Sequence, residues 1–235
     1  MIKNIVNGYK VIEIDLEGAN CIFTTSHNGL DLNREGIDFQ KNLNCLKDYY
    51  KLNDIAYLKQ IHSTYVYDAN SKEDIGDGLY TEKMNLGIAV FTADCVPILV
   101  YDYENNLIAA LHSGWKGTVD NILKEGIKFL IQKGGNPKTM KIVIGPHNKS
   151  CCYEIGNDVV EKFNEKDIFK GVSIFKGRNL DMEKAIILQA LNEGVLKENI
   201  ITMEYCTFCS SDVKFHSYRR DREQSGRMFS FIYMK

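Results

Sequence analysis

The sequence predicts one α+β domain over residues 1–235, a layered fold in which helices flank mixed β-sheets. Helix-like and strand-like patterns are interleaved, but the strand-like runs come in consecutive groups, which favours mixed or antiparallel sheets over a doubly wound parallel sheet. A chain of 235 residues is long enough to bury a full core, and it holds only three prolines and no repeat or low-complexity linker. We therefore expect a single domain.

The first half of the chain consists mainly of strand-like runs. Phe39, Leu43, Leu46 and Tyr50 follow helical spacing and predict one amphipathic helix there. Gly76-Asp77-Gly78 is a turn signal. The predicted elements are, in order, strands at 9–15 and 20–25, the helix at 36–52, strands at 54–61 and 64–69, and a buried meander of strands at 86–92, 97–102 and 107–112.

The hydrophobic period changes to 3.6 after Thr118, which predicts a helix. Its apolar side holds Ile122, Ile127, Leu130 and Ile131, and Gly134-Gly135 ends it. The remaining predictions are a strand at 141–145, a helix from about Asn157, a helix at 181–193 capped by Asp181 and ended by Gly194, and strands at 199–204 and 228–233.

Composition excludes several classes of partner. The chain has 29 Lys and Arg against 31 Asp and Glu, a net charge of −2, so it lacks the basic surface of a nucleic-acid binder. The N-terminus has no signal-peptide pattern, and no run is long enough to span a bilayer. We expect a cytoplasmic protein with no membrane partner, in which the seven cysteines stay reduced.

Three metal-binding residue types stand at the ends of apolar runs. Cys95 and His112 border the runs at 97–102 and 107–112, and His62 follows another short run. Two imidazoles and one thiolate leave one open position on a tetrahedral zinc, as in catalytic sites. The same thiol and imidazole could instead form a nucleophile pair without metal.

Other polar motifs have two interpretations. Cys206-x-x-Cys209 resembles half a zinc knuckle or a redox pair, but no second pair accompanies it at finger spacing, so we expect unbonded thiols with a structural or incidental role. Cys151-Cys152 cannot easily bond as neighbours and is expected to shape a tight loop. Arg219 and Arg220 are either part of a solvated charged run or guanidinium groups that bind phosphate.

The motifs, taken in order along the chain, resemble those of the YfiH or laccase-domain family. The resemblance spans nearly the whole sequence and implies an α/β fold shared with deamidase-type bacterial toxins. Members of the family have been described as polyphenol oxidases, purine nucleoside phosphorylases and peptidoglycan editing factors. The motifs are Gln60-Ile61-His62, Thr92–Pro97, His112–Gly117, Ile144–Pro146, Cys151–Gly156, Ser217–Asp221 and Gly226–Met228.

The resemblance implies that His62, Cys95 and His112 bind a metal, most often zinc. The chain departs from the usual family pattern at Ser113 and Lys116, where Ala and Arg are common, and at His147. Lys116 is a flexible point charge, so it would hold a phosphate less firmly than a bidentate Arg. The candidate substrate-binding residues are Lys116, Arg219 and Arg220.

The leading hypothesis is therefore a zinc-dependent purine nucleoside phosphorylase. The resemblance implies adenosine, inosine and S-methyl-5′-thioadenosine as substrates together with phosphate, and adenosine deamination as a second activity. One alternative is a copper-dependent, laccase-like polyphenol oxidase, although five histidines are few for a multicopper cluster. Others are a metal-free Cys95–His112 hydrolase or peptidoglycan-precursor editor, and a binding module without enzymatic activity.

Overall fold

The computed structural model describes residues 1–235, apart from the side chain of Val6. It contains fourteen strands and six α-helices, joined by loops and short 3₁₀ turns. The strands are β1 (Ile2–Asn4), β2 (Lys10–Asp15), β3 (Ala19–Thr24), β4 (Asp54–Tyr57), β5 (Val66–Asp68), β6 (Gly78–Thr81), β7 (Leu86–Thr92), β8 (Val96–Asp102), β9 (Leu107–Ser113), β10 (Met140–Ile144), β11 (Phe175–Lys176), β12 (Asn179–Leu180), β13 (Ile200–Thr202) and β14 (Met228–Met234). The helices are α1 (Phe39–Tyr49), α2 (Trp115–Val119), α3 (Ile122–Gln132), α4 (Asn157–Asn164), α5 (Met182–Asn192) and α6 (Tyr218–Asp221).

Two six-stranded sheets carry the fold, and both are mixed. The first has the order β1-β2-β3-β14-β7-β4 and is antiparallel except for the β4–β7 pair. The second has the order β13-β10-β8-β9-β6-β5, with parallel pairs at both edges. β11 and β12 form a separate small hairpin. The predicted layered α+β fold with mixed sheets is confirmed.

The sheets pack against each other, and helices cover their outer faces. Leu46 of α1 packs with Phe231 on the outer side of the first sheet. Phe23 of the first sheet and Leu99 of the second belong to one buried cluster between the sheets. α3 and α5 cover the second sheet, with Ile127 fully buried. The order of layers is therefore helix, sheet, sheet, helices. Among the described residues, no helix combines the length and apolarity needed to cross a membrane.

The predicted meander of three strands is wrong in one respect. β8 and β9 form an antiparallel hairpin in the second sheet, but β7 belongs to the first sheet. The three residues between β7 and β8 therefore pass from one layer to the other, with Asp94 at a positive φ of 94°. β7 and β8 are apolar on both faces, so their sequences lack the alternation that would assign each to a sheet.

The two strands predicted around His62 are present but shorter, and a loop takes up the residues between them. β4 ends at Tyr57 and β5 begins at Val66, and His62 has a left-handed backbone with φ 60°. The backbone N–H groups of Ile61, His62 and Ser63 donate to the Asp77 carboxylate instead of a sheet partner. At this point a side-chain carboxylate thus accepts the hydrogen bonds that a neighbouring strand would otherwise accept. The short strands β1, β6, β11 and β12 were not predicted.

The helix predicted after Thr118 is divided in two and has a narrower apolar face. α2 ends at Val119, and Asn121, in left-handed conformation, caps α3 by accepting the Lys124 N–H. Ile127 and Leu130 are fully buried, but Ile131 is 46% exposed. The prediction that Ile131 lies on the buried side is wrong, because the helical rotation between positions 130 and 131 turns it toward solvent.

Replacing these two isoleucines one at a time should give very different losses of stability. We expect Ile127→Ala to lower the free energy of unfolding by about 2–5 kcal/mol, because it leaves a cavity in a closed core. Ile131→Ala serves as the matched control and should change it by less than about 1 kcal/mol. Urea unfolding followed by circular dichroism measures both. Equal losses would contradict this orientation of α3.

Candidate metal centre

His62, Cys95 and His112 lie together where β7 and β9 end and β8 begins. Their candidate ligand atoms are all within 4.8 Å of one another. Cys95 Sγ is 3.9 Å from His62 Nε2, and the two imidazole rings meet edge to face with centroids 4.9 Å apart. Around a tetrahedral zinc with bonds of about 2.0–2.3 Å, such ligand atoms stand roughly 3.3–3.8 Å apart. The donor set and its spacing fit one ion with a position left open.

The register of the β8–β9 hairpin brings two of these residues together. Val96 pairs with Ser113, so Cys95, the preceding residue, lies beside Gly114. A Cβ atom on Gly114 would stand 2.8 Å from Cδ2 of His62 and 3.1 Å from Sγ of Cys95. Only glycine leaves room for the His62 ring and the thiol at this point. Trp115 is half-buried and directly follows this turn, at the start of α2.

Asp77 holds two of the three residues in place. Its buried carboxylate accepts a hydrogen bond from Nδ1 of His112 at 2.7 Å and one from the backbone N–H of His62 at 3.0 Å. The backbone N–H and the hydroxyl of Ser63 donate to it at 2.6 and 2.7 Å. With Nδ1 as donor, Nε2 of His112 remains free as a ligand atom. In the sequence, Asp77 is recognisable only as part of a turn signal.

The charges around the site favour the thiolate. Burial by itself raises the pKa of Cys95, but the charge of His112 and hydrogen bonds from both histidines lower it to about 6. Burial lowers the pKa of His112, whereas Cys95 and Asp77 raise it, to about 9. Burial also opposes ionisation of Asp77, but hydrogen bonds from His112 and Ser63 bring its pKa to about 2. The thiolate is the form of cysteine that binds metals and acts as a nucleophile.

Gln60 fastens the loop of His62 to the first sheet. Its Nε2 donates to the carbonyl of Phe91 at 2.8 Å, and its Oε1 accepts the Phe91 N–H at 2.7 Å. These two hydrogen bonds extend the β4–β7 pairing beyond the end of β4. They differ from strand pairing because Gln60 makes them with its side chain. The Gln60-Ile61-His62 motif therefore positions the loop in addition to supplying the candidate ligand His62.

The three residues lie in a cleft of about 800 Å³. Phe91 and Tyr218 contribute aromatic surface to its walls, and Arg34 and Arg227 contribute positive charge. The Arg34 guanidinium packs over the rings of Tyr57 and Phe91, 5.3 and 6.0 Å from their centroids. No sequence signal singled out Arg34. Arg227 belonged to a motif of the resemblance but was given no role.

None of the three predicted substrate-binding residues is among the described residues that line this cleft. Lys116 borders a separate pocket, with its ammonium group 5.7 Å from the Trp115 ring centroid. Arg219 donates to the carbonyl of Glu154 at 2.6 Å. Arg220 donates to the carbonyl of Phe215 at 2.8 Å and is paired with the neighbouring Asp221. Their substrate roles stay predictions.

The remaining predicted features lie outside the cleft. His147 is buried, its Nδ1 donates to the carbonyl of Gly145 at 2.8 Å, and burial lowers its pKa to about 4. All seven cysteines are free thiols, and Cys206 and Cys209 are among them. However, Cys151 and Cys152 lie against Cys206 and Cys209, a contact that the sequence did not predict.

A family model matches most of the chain. The model described as multi-copper polyphenol oxidoreductase laccase matches residues 23–235. The chain belongs to this laccase family. The resemblance inferred from the motifs is thereby confirmed, and together with the Cys/His group it indicates a metal, whose identity the match does not specify.

Relatives and solved structures agree over nearly full length. A purine nucleoside phosphorylase of Clostridium acetobutylicum is 41% identical over 233 residues, which is 98% of each chain. One of Campylobacter jejuni is 33% identical over 233 residues, 97% of each chain. The hypothetical protein YfiH of Bacillus licheniformis matches with a TM-score of 0.87 at 26% identity, covering 100% of this chain and 99% of its own. YlmD of Geobacillus stearothermophilus matches with a TM-score of 0.86 at 26% identity, covering 100% of this chain and 98% of its own.

Neutralising Asp77 should weaken metal binding without unfolding this laccase-family chain. In Asp77→Asn the amide holds His112 and the loop of His62 less firmly, and loss of such a partner typically costs about 10–100-fold in metal affinity. Competition titration of the metal-free protein with a chelating indicator measures the affinity. Asp74→Asn, an exposed change in the same segment, is the matched control and should bind as the unmodified chain does. Equal affinities in the two variants would refute the role of Asp77.

Proposed function

We propose that this chain is a zinc-dependent purine nucleoside phosphorylase that acts on adenosine, inosine and S-methyl-5′-thioadenosine and also deaminates adenosine. The observation that carries the proposal is the convergence of His62, Cys95 and His112 in a cleft of about 800 Å³. That volume lies within the usual range for sites of small ligands. Relatives named purine nucleoside phosphorylase cover 97–98% of the chain and support the reaction class.

In this proposal the three side chains hold the ion and Asp77 orients them. A zinc ion bound there supplies Lewis-acid activation of an oxygen nucleophile. His112 binds through Nε2, because its Nδ1 proton is held by Asp77. Cys95 binds as thiolate, the form that its two histidine neighbours favour. Three ligands would leave one position open, and the cleft that these residues line would give a substrate access to it.

The walls of the cleft offer the two kinds of contact that a nucleoside and phosphate need. Phe91 and Tyr218 present aromatic surface suited to a purine ring. Arg34 and Arg227 present guanidinium groups suited to a phosphate. In phosphorolysis a phosphate oxygen bonds to ribose C1′ while the bond from C1′ to the purine breaks, which gives ribose 1-phosphate and the base. In deamination water replaces the amino group at C6 of adenosine and ammonia leaves.

Two other functions remain as competing hypotheses, each favoured by one observation. The description of the family names polyphenol oxidation, which would require copper at the same residues. The close Cys95–His112 pair, with its thiolate favoured, would also suit a metal-free hydrolase or peptidoglycan-precursor editor. Metal analysis combined with product analysis separates all three. Zinc with ribose 1-phosphate or inosine as product supports our proposal, copper with phenol oxidation supports the oxidase, and activity without metal supports the hydrolase.

Substitution of His62 distinguishes the metal enzyme from the thiol hydrolase. We expect His62→Ala to lose turnover of adenosine by at least about 100-fold and to bind zinc weakly, because one of three ligands is gone. Cys95→Ser should be nearly as damaging, since a hydroxyl is a poor zinc ligand. Chromatography of products and metal analysis by mass spectrometry measure both effects. Full activity and metal content in His62→Ala would overturn the zinc proposal.

The phosphate contacts can be identified by comparing the two activities of one variant. If Arg227 binds phosphate, Arg227→Gln should raise the KM for phosphate by about 10-fold or more, the usual effect of losing a charged hydrogen bond. Deamination of adenosine consumes no phosphate and should change little. Arg219→Gln is the matched comparison, because Arg219 is the competing candidate from the sequence. A rise in KM for phosphate only in Arg219→Gln would move the phosphate site to α6.

A further inference from the structure

Four cysteines from two distant segments meet in a second cluster. Cys151 and Cys152 lie in the loop between β10 and α4, and Cys206 and Cys209 lie in the segment that follows β13. Their sulfur atoms are all within 4.8 Å of one another, and those of Cys151 and Cys209 are 3.6 Å apart. Four thiolates around a zinc ion with bonds of about 2.3 Å stand roughly 3.8 Å apart. The cluster thus has nearly the dimensions of a four-thiolate zinc site.

The backbone around Cys206 is arranged to stabilise a thiolate. Burial raises the pKa of Cys206, but the nearby backbone N–H groups of Lys149, Cys209 and Phe208 lower it, and the net shift is downward. Cys206 itself is only 3% exposed. Backbone N–H groups near a buried sulfur favour its ionised form, which is the form that binds a metal.

Asn148 provides an independent indication of a charged sulfur at this position. It is 1% exposed, its Oδ1 lies 3.8 Å from Sγ of Cys206, and its Nδ2 has no hydrogen-bond partner among the described residues. The present orientation suits a thiol that donates to the amide oxygen. Turning the amide over would direct the unpartnered N–H at the sulfur, as a metal-bound thiolate requires, because a thiolate only accepts.

We propose that Cys151, Cys152, Cys206 and Cys209 form a second metal site, a structural zinc site with four thiolate ligands. Four soft ligands around one point select zinc among the common divalent ions, and a closed ligand set leaves no position for a substrate. Cys151 and Cys209 are exposed, so the ion can enter from solvent, while Cys206 lies at the bottom.

The position of the cluster explains what a zinc ion would stabilise there. The two cysteine-bearing segments also meet through the Thr207 N–H, which donates to the carbonyl of His147 at 3.0 Å. Both then reach Asp94: the Asn148 N–H donates to its carbonyl at 3.0 Å, and the Thr207 hydroxyl donates to its carboxylate at 2.6 Å. Asp94 immediately precedes Cys95. Zinc in the cluster would therefore brace the loops that support Asp94, the residue next to the candidate ligand Cys95.

Zinc content per chain tests this proposal without any assay of activity. We expect two zinc ions in the unmodified full-length chain purified without chelator, and one in both Cys151→Ser and Cys209→Ser. Both substituted positions are exposed, so the fold should survive, and circular dichroism checks this. Cys45→Ser, which removes a thiol from α1 in another layer, is the matched control and should keep two. The variant His62→Ala/Cys95→Ser should keep one, which separates this site from the candidate active site.

Cobalt substitution checks the ligand set directly. In the His62→Ala/Cys95→Ser background, Co²⁺ should produce the intense sulfur-to-metal charge-transfer absorption of a tetrahedral thiolate site, and adding Cys209→Ser should abolish or shift it. Two results would overturn the proposal. One is an unchanged zinc content in both folded Cys151→Ser and folded Cys209→Ser. The other is a disulfide between Cys151 and Cys209 in the unreduced, freshly purified protein, identified by peptide mass spectrometry.

Discussion

The site depends on one buried carboxylate. Asp77 accepts hydrogen bonds from the loop of His62 and from the ring of His112, and its own backbone carbonyl accepts the His112 N–H at 2.7 Å. A buried charge is costly unless it is paired and hydrogen-bonded, and removing one partner of such a pair typically costs about 3–5 kcal/mol. Asp77 meets this requirement only when the loop and the end of β9 are both in place. The same interaction therefore closes the loop and orients a candidate ligand.

The layered fold supplies the rest of the geometry. Because β8 and β9 form a hairpin, their register places Cys95 beside Gly114, and the absence of a side chain there admits the His62 ring. Gln60 fastens the other end of the loop to the last residues of β7 in the first sheet. Three candidate ligands are thus held by groups from both sheets. Such support preorganises a metal site, because its ligands need little ordering when the ion binds.

The two sulfur-containing sites are joined through Asp94. This residue has a positive φ of 94° and lies where the chain crosses from the first sheet to the second. Its carboxylate accepts hydrogen bonds from the Thr207 hydroxyl and the Arg219 N–H, at 2.6 and 2.7 Å. A conformation of this kind persists only when its surroundings hold it. Arg219 thus contributes to this support through its backbone, a role independent of any contact between its guanidinium and substrate.

Local pattern determined the element types, most of their bounds and the three candidate ligands. β7, β8 and β9 are each within one residue of their predicted limits, and α5 begins after its predicted cap at Asp181. Such features depend on neighbours in sequence. The tertiary structure alone decided that β7 joins the first sheet and that Asp77 binds the loop of His62. It also decided that Arg34 and Arg227 line the cleft, and that Cys151 and Cys152 meet Cys206 and Cys209. The physical reason is that buried strands carry the same apolar pattern in either sheet, and contacts between loops depend on how distant segments pack, which no local spacing encodes.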